Sequence, residues 1–184
     1  MLPNLLLIGG TGKNIGKTEF SERLIRENSK KYNIIALKVT SIYPPEKEFH
    51  KPHIDLPKEG FKIVEEKSSS GEKDTSRMLI AGAKKAFFIT AKEESLNFVV
   101  QDFFINIDKN KAIICESNSL IKFINPGLFI MVKHENDLLI KSRALPLLNI
   151  ADKIIISDGK SFKTEYPDIY FEDSTWKLKK NTKN

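Results

Sequence analysis

A single cysteine is the first constraint in this sequence: Cys115 has no second thiol to pair with, so no intrachain disulfide holds the fold. It sits in Ala112-Ile113-Ile114-Cys115, a setting that suits an inert, buried thiol, and such cysteine usage fits a reducing, cytoplasmic location. Histidine is scarce too, with 3 in the chain. His50 and His53 are separated by Lys51-Pro52, and no cysteine or third histidine lies near enough to complete a zinc set. His134, beside Glu135, is expected in a surface turn. No apolar run approaches the roughly 20 residues of a membrane-spanning helix, and Met1 to Ile8 reads as a strand rather than a signal peptide, so no membrane partner is expected. A Ser-His-Asp arrangement on a nucleophile elbow is also missing.

What is present describes an ordinary globular chain. Hydrophobic residues make up 40% and charged residues 29% of 184 residues, enough for one domain (1–184) with its own core. The net charge is +6, and part of the excess falls in a tail from about residue 175 to 184 that holds Lys177, Lys179, Lys180 and Lys183. This tail is expected to be frayed and solvated. No recognised motif or aromatic-basic repeat accompanies it, so nucleic acid is not an expected partner.

Strand-length apolar runs recur at Asn4–Ile8, Asn33–Val39, Ala86–Thr90, Lys111–Glu116, Leu128–Lys133 and Lys153–Ser157. Most are too continuous for strands buried on one face, which predicts a mainly parallel sheet covered on both sides. Helical spacing fills the gaps at Lys17–Lys31, Asp74–Lys84 and Glu94–Asn106. The first helix places Phe20, Leu24 and Ile25 on one face, with Glu22, Arg26 and Lys30 mostly on the other. This alternation predicts an α/β fold: three-layer, doubly wound, of the phosphate-loop NTPase type. Thr40–Gly60 and Lys67–Asp74 read as loops, with a possible strand at Phe61–Glu66; the first is either a lid or a surface insertion.

The most informative stretch is Gly9-Gly10-Thr11-Gly12-Lys13-Asn14-Ile15-Gly16-Lys17-Thr18, which leads from the first apolar strand into the first helix. Glycines let consecutive amides turn into one concavity at a helix N-terminus, where they meet phosphate oxygens. Lys17 would reach the terminal phosphates, and Thr18 would take one Mg²⁺ position. The spacing departs from the usual pattern: Thr11 stands at the first glycine position, and counting from Gly10 leaves one residue extra before Gly16-Lys17-Thr18. The candidate phosphate-binding set is therefore Gly10, Gly12, Lys13, Asn14, Ile15, Gly16, Lys17 and Thr18. Glu116 ends an apolar strand where a second metal anchor belongs. Lys38 ends the second strand facing the same crevice, and with Lys17 it is a candidate for stabilising charge during catalysis. Asp74 reads first as a helix cap and second as a further contact to Mg²⁺.

Together, the loop from Gly10 to Thr18, strand-end Lys38, Lys73-Asp74-Thr75-Ser76-Arg77 with Ala81-Gly82-Ala83, and the Glu116 strand resemble the molybdopterin-guanine dinucleotide biosynthesis accessory proteins of the MobB type. The resemblance spans roughly residues 4 to 157 and extends to the broader phosphate-loop group that includes dethiobiotin synthetase. It implies GTP or ATP binding with Mg²⁺, slow hydrolysis, a homodimer, and work alongside a cofactor-biosynthesis enzyme. No Asn-Lys-x-Asp guanine reader is present, which leaves the base open. Two other readings remain: an ATP-dependent ligase or kinase that uses Lys38 to position a small carboxylated metabolite, and a non-catalytic module that binds a partner under nucleotide control.

Overall fold

The computed structural model describes residues 1–42, 58, 60–136, 138, 140–164 and 166–179. Among the described residues nine strands form the β-structure: β1 (Leu2–Gly10), β2 (Ile35–Ile42), β3 (Phe61–Glu65), β4 (Lys85–Lys92), β5 (Ile113–Glu116), β6 (Pro126–His134), β7 (Lys153–Ser157), β8 (Ile169–Glu172) and β9 (Thr175–Leu178). The first seven make one sheet in the order β3-β4-β2-β5-β1-β6-β7. All its pairings are parallel except that of edge strand β3 with β4. The central strand β1 explains why the apolar runs are unbroken. Leu5, Leu6, Leu7 and Ile8 are all fully buried, because alternate side chains enter cores on opposite faces of the sheet.

One face carries α1 (Lys17–Asn28) and α2 (Asp74–Ile80), which pack Phe20, Leu24, Ile25 and Met78 on Leu6, Ile8 and Ile114. The other face is covered by α3 (Leu96–Val99), the π turn that follows it (Val100–Phe104), and α4 (Leu145–Leu148). The result is a three-layer α/β arrangement in which the strands expected from sequence occur close to their expected bounds. No helix among the described residues is long and apolar enough to cross a membrane.

The structure corrects several sequence expectations. The helix expected over Glu94–Asn106 is divided into a 3-10 turn (Glu93–Ser95), α3 and the π turn. The wider π turn coincides with adjacent Phe103 and Phe104, whose rings meet edge-on while Phe103 also meets Phe87 of β4. Glu22, expected on the solvent face of α1, is buried because it joins Arg26 of its own helix to Arg77 of α2. The tail expected from about residue 175 begins as β9, whose partner is β8; residues 180–184 lie outside those described. This hairpin packs on the same face of the sheet as α1. Trp176 is 1% exposed and donates its indole N–H to the Ile113 carbonyl at 3.0 Å, while its ring packs on Phe171. Of the Thr40–Gly60 loop, Thr40 to Ile42 continue β2. Residues 43–57 and 59, with His50 and His53, lie outside the described residues.

Candidate functional site

Because the sheet is parallel, β1, β2, β5, β6 and β7 all end on the same edge. Beside β1 the chain diverges: the loop after it leads to α1 on one face, while the connections after β5 and β6 lead to the opposite face. Such a divergence opens a crevice beyond the strand ends. A cleft of about 460 Å³ lies there, bounded by the loop before α1 and by Lys38, Asp74 and Arg77.

Local packing holds the loop open. Thr11 is fully buried; its amide donates to Val132, its carbonyl accepts from the Lys141 amide, and its hydroxyl accepts from the His134 amide at 2.9 Å. This accounts for Thr11 where the usual pattern has glycine: the hydroxyl pins the loop to the end of β6. Asn118 clamps the other side, accepting from the Gly10 amide at 2.7 Å and donating to the Gly10 carbonyl at 2.8 Å. Ile15 turns its side chain into the core, so only its backbone faces the cleft, whereas Lys13 and Asn14 are exposed at the rim. Gly16 adopts φ 86°, a left-handed conformation costly for other residues, and starts α1 with no side chain capping it. Among the described residues, no amide from Gly12 to Gly16 donates to another backbone carbonyl. These donors and the open helix terminus favour an anion.

Lys17 crosses the loop and donates to the Gly12 carbonyl at 2.7 Å. Its stem passes so close to Gly10 that an added Cβ there would lie 2.5 Å from Lys17 Cδ. Burial lowers the Lys17 pKa, with the nearby Lys38 and Lys141 charges acting in the same direction and Glu116 partly opposing them. Among the described residues, no carboxylate forms an ion pair with Lys17.

Opposite Lys17 is a compact polar cluster. Thr18 Oγ1 donates toward Asp74 at 3.1 Å and toward Glu116 at 3.3 Å. Lys38 Nζ lies 2.7 Å from Asp74 Oδ2 and 2.9 Å from Glu116 Oε2. Burial opposes the Lys38 charge, but Glu116 and Asp74 outweigh it and hold the lysine pKa above its ordinary value. Burial likewise pushes Asp74 up, yet hydrogen bonds from Lys38 and Thr18 and the Lys38 charge leave it below the usual aspartate range. Asp74 does not cap α2; Lys73 occupies the cap position, and Asp74 turns its carboxylate into the cluster. The preceding serine-rich loop sets that orientation through buried Ser76, which accepts from the Gly71 amide and donates to the Ser68 carbonyl. The structure thus gathers Lys17, Thr18, Lys38, Asp74 and Glu116, with the bonded pair Thr18 and Glu116 98 positions apart in the chain.

Sequence reasoning missed the supporting residues. Thr11 was marked only as a departure from a pattern, and Asn118 carried no signal because its role is a contact with Gly10, 108 residues away. A second hollow of about 370 Å³ adjoins the loop, where His134, Lys141 and the turn at Asp158-Gly159-Lys160 meet Gly12 to Ile15. Asp158 builds that turn by accepting from the Lys160 and Ser161 amides, and with the Lys163 ammonium these bonds drive its pKa far below the ordinary range. Cys115 is fully buried, and burial pushes its thiol pKa far up, which suits a core residue. No protein-family model, curated protein or solved structure matches the chain.

Proposed function

We propose that the cleft binds the polyphosphate chain of a nucleoside triphosphate, GTP or ATP, together with Mg²⁺, and that the chain is a slow NTPase of the phosphate-loop type. The observation that carries this reading is the Lys17 ammonium. It is half-buried, disfavoured by that burial and by the Lys38 and Lys141 charges, unpaired with any described carboxylate, and held beside open amides at a helix N-terminus. A polyanion supplies the charge this arrangement lacks. Amides from Gly12 to Thr18 would hold the phosphates and Lys17 would neutralise charge on them.

Thr18, Asp74 and Glu116 suit Mg²⁺ because all three offer hard oxygen atoms, and Glu116 Oε1 is buried without a hydrogen-bond partner. Among the described residues, no group of three or more His, Cys, Asp or Glu side chains gathers to cage a metal. When bound, Mg²⁺ supplies charge neutralisation on the phosphoryl oxygens.

An accessory role in molybdenum cofactor biosynthesis, with a homodimer and a cofactor-biosynthesis enzyme as partner, rests on the motif resemblance alone. The ligase or kinase alternative asks Lys38, whose ammonium is shared by Asp74 and Glu116 in the nucleotide-free protein, to hold a substrate carboxylate instead. Thermal shift against ATP, GTP, their diphosphates and inorganic tripolyphosphate, with and without Mg²⁺, tests the proposal through binding linkage. Stabilisation by triphosphates that strengthens with Mg²⁺ is expected. No shift with any of these ligands would overturn it.

A further inference from the structure

The cluster proposed to hold the metal already contains a cation of the protein's own. Lys38 and Glu116 are register partners on adjacent parallel strands β2 and β5, so the backbone itself brings their side chains together. The ammonium lies within hydrogen-bond distance of both Glu116 and Asp74, and Thr18 reaches the same two carboxylates. Both carboxylates suited to binding Mg²⁺ therefore converge on one lysine nitrogen, and Thr18 bonds to the same two. Glu116 is 1% exposed, yet its second oxygen has no partner: an ammonium with directional N–H bonds leaves unused an acceptor that a coordinating ion would take.

Charge balance decides what happens when a divalent ion arrives. If Lys38 stays, the site holds three positive charges against two negative ones at hydrogen-bond distances, with Lys17 nearby adding to the repulsion. If Lys38 leaves, its ammonium needs another anion, and the cleft bounded by Lys17 and the loop amides is where a triphosphate would provide one. We propose that Lys38 is an internal counter-ion occupying the divalent-cation site of the nucleotide-free protein, and that the metal enters only in exchange for it, the ammonium passing to the incoming polyphosphate. This rests on reading the cleft as a polyphosphate site. It makes metal binding conditional on nucleotide and keeps the two carboxylates paired in the meantime.

Mn²⁺ titration of the nucleotide-free protein, read from the electron paramagnetic resonance of the free ion, tests the exchange without recourse to activity. Lys38→Met keeps an unbranched apolar stem and removes the charge, so it should bind Mn²⁺ at least about tenfold more tightly than wild type. Adding Glu116→Gln to that variant should abolish the gain. A non-hydrolysable triphosphate should raise the Mn²⁺ affinity of wild type far more than that of Lys38→Met. Tight Mn²⁺ binding by nucleotide-free wild type, equal to that of Lys38→Met, would overturn the proposal.

If Lys38→Met fails to fold, the lysine side-chain NMR signals of wild type decide instead. The Lys38 signal should ignore Mg²⁺ alone and move when Mg²⁺ and triphosphate are present together; movement with Mg²⁺ alone would overturn the exchange. Should no triphosphate bind any of these proteins, the polyphosphate reading fails separately, and the Mn²⁺ comparison still judges Lys38.

Discussion

Trp176 is the only tryptophan in the chain and anchors the β8–β9 hairpin to the sheet, so its fluorescence reports on one structural claim alone. With the indole 1% exposed, emission should be blue-shifted and resistant to iodide quenching. Trp176→Phe keeps an aromatic ring but removes the indole hydrogen bond to the Ile113 carbonyl, at about 1 kcal/mol, and leaves a small cavity that brings the total to about 2–4 kcal/mol. For a domain of this size each kcal/mol corresponds to about 2–4 °C, so Tm should fall by about 5–15 °C. Ile113 begins β5 and Glu116 ends it, so loosening there should also weaken triphosphate binding. The assay is thermal unfolding by far-UV circular dichroism, with tryptophan emission followed in parallel on wild type. Coincident transitions are expected, because the hairpin belongs to the same core. Red-shifted, readily quenched emission in native wild type, or a Trp176→Phe variant as stable as wild type, would refute the claim that the hairpin completes that core.

Two further substitutions probe the loop and its neighbouring turn. Gly10→Ala would place a methyl 2.5 Å from Lys17 Cδ and 2.9 Å from Ile15 Cδ1; the flexible lysine can yield but the buried Ile15 cannot do so freely, so stability should fall by about 1–3 kcal/mol while triphosphate affinity falls by about tenfold or more. Calorimetry paired with thermal melts separates the two effects, and unchanged affinity would contradict the proposed lysine path. Asp158 has a depressed pKa in the folded state, so the stability it contributes is present above the ordinary aspartate range and is lost as pH falls through the folded value. The Tm difference between wild type and Asp158→Asn should accordingly stay constant near neutrality and close in strong acid; a gap that widens on acidification would reverse the assigned sign.

The architecture was largely legible because unbroken apolar runs such as Leu5-Leu6-Leu7-Ile8 have few alternatives to a strand buried on both faces. The turn from β1 into α1 was legible too, since closely spaced glycines between an apolar strand and a helical pattern mark it locally. What escaped depends on partners distant in sequence. Trp176 and its strand looked like the start of a basic tail because neighbouring lysines dominate a short window, yet the indole's partner is 63 residues away. Glu22 looked solvated by helical periodicity, and burial became tolerable only once Arg77 of another helix met it. Asp74 looked like a cap because its position in the chain suited one, while its carboxylate found a lysine on β2 instead. Lys38 was expected at the end of its strand, whereas β2 runs on to Ile42, and nothing local indicated that two carboxylates would already be paired with it.

Titration calorimetry of Mg²⁺–triphosphate into wild type and Lys17→Ala tests the central claim most directly. Wild type should release heat with saturable one-site binding, and the alanine variant, losing charge-assisted hydrogen bonds worth about 2 kcal/mol, should bind about thirtyfold more weakly. Equal affinity in the two proteins, or no heat from either, would contradict it.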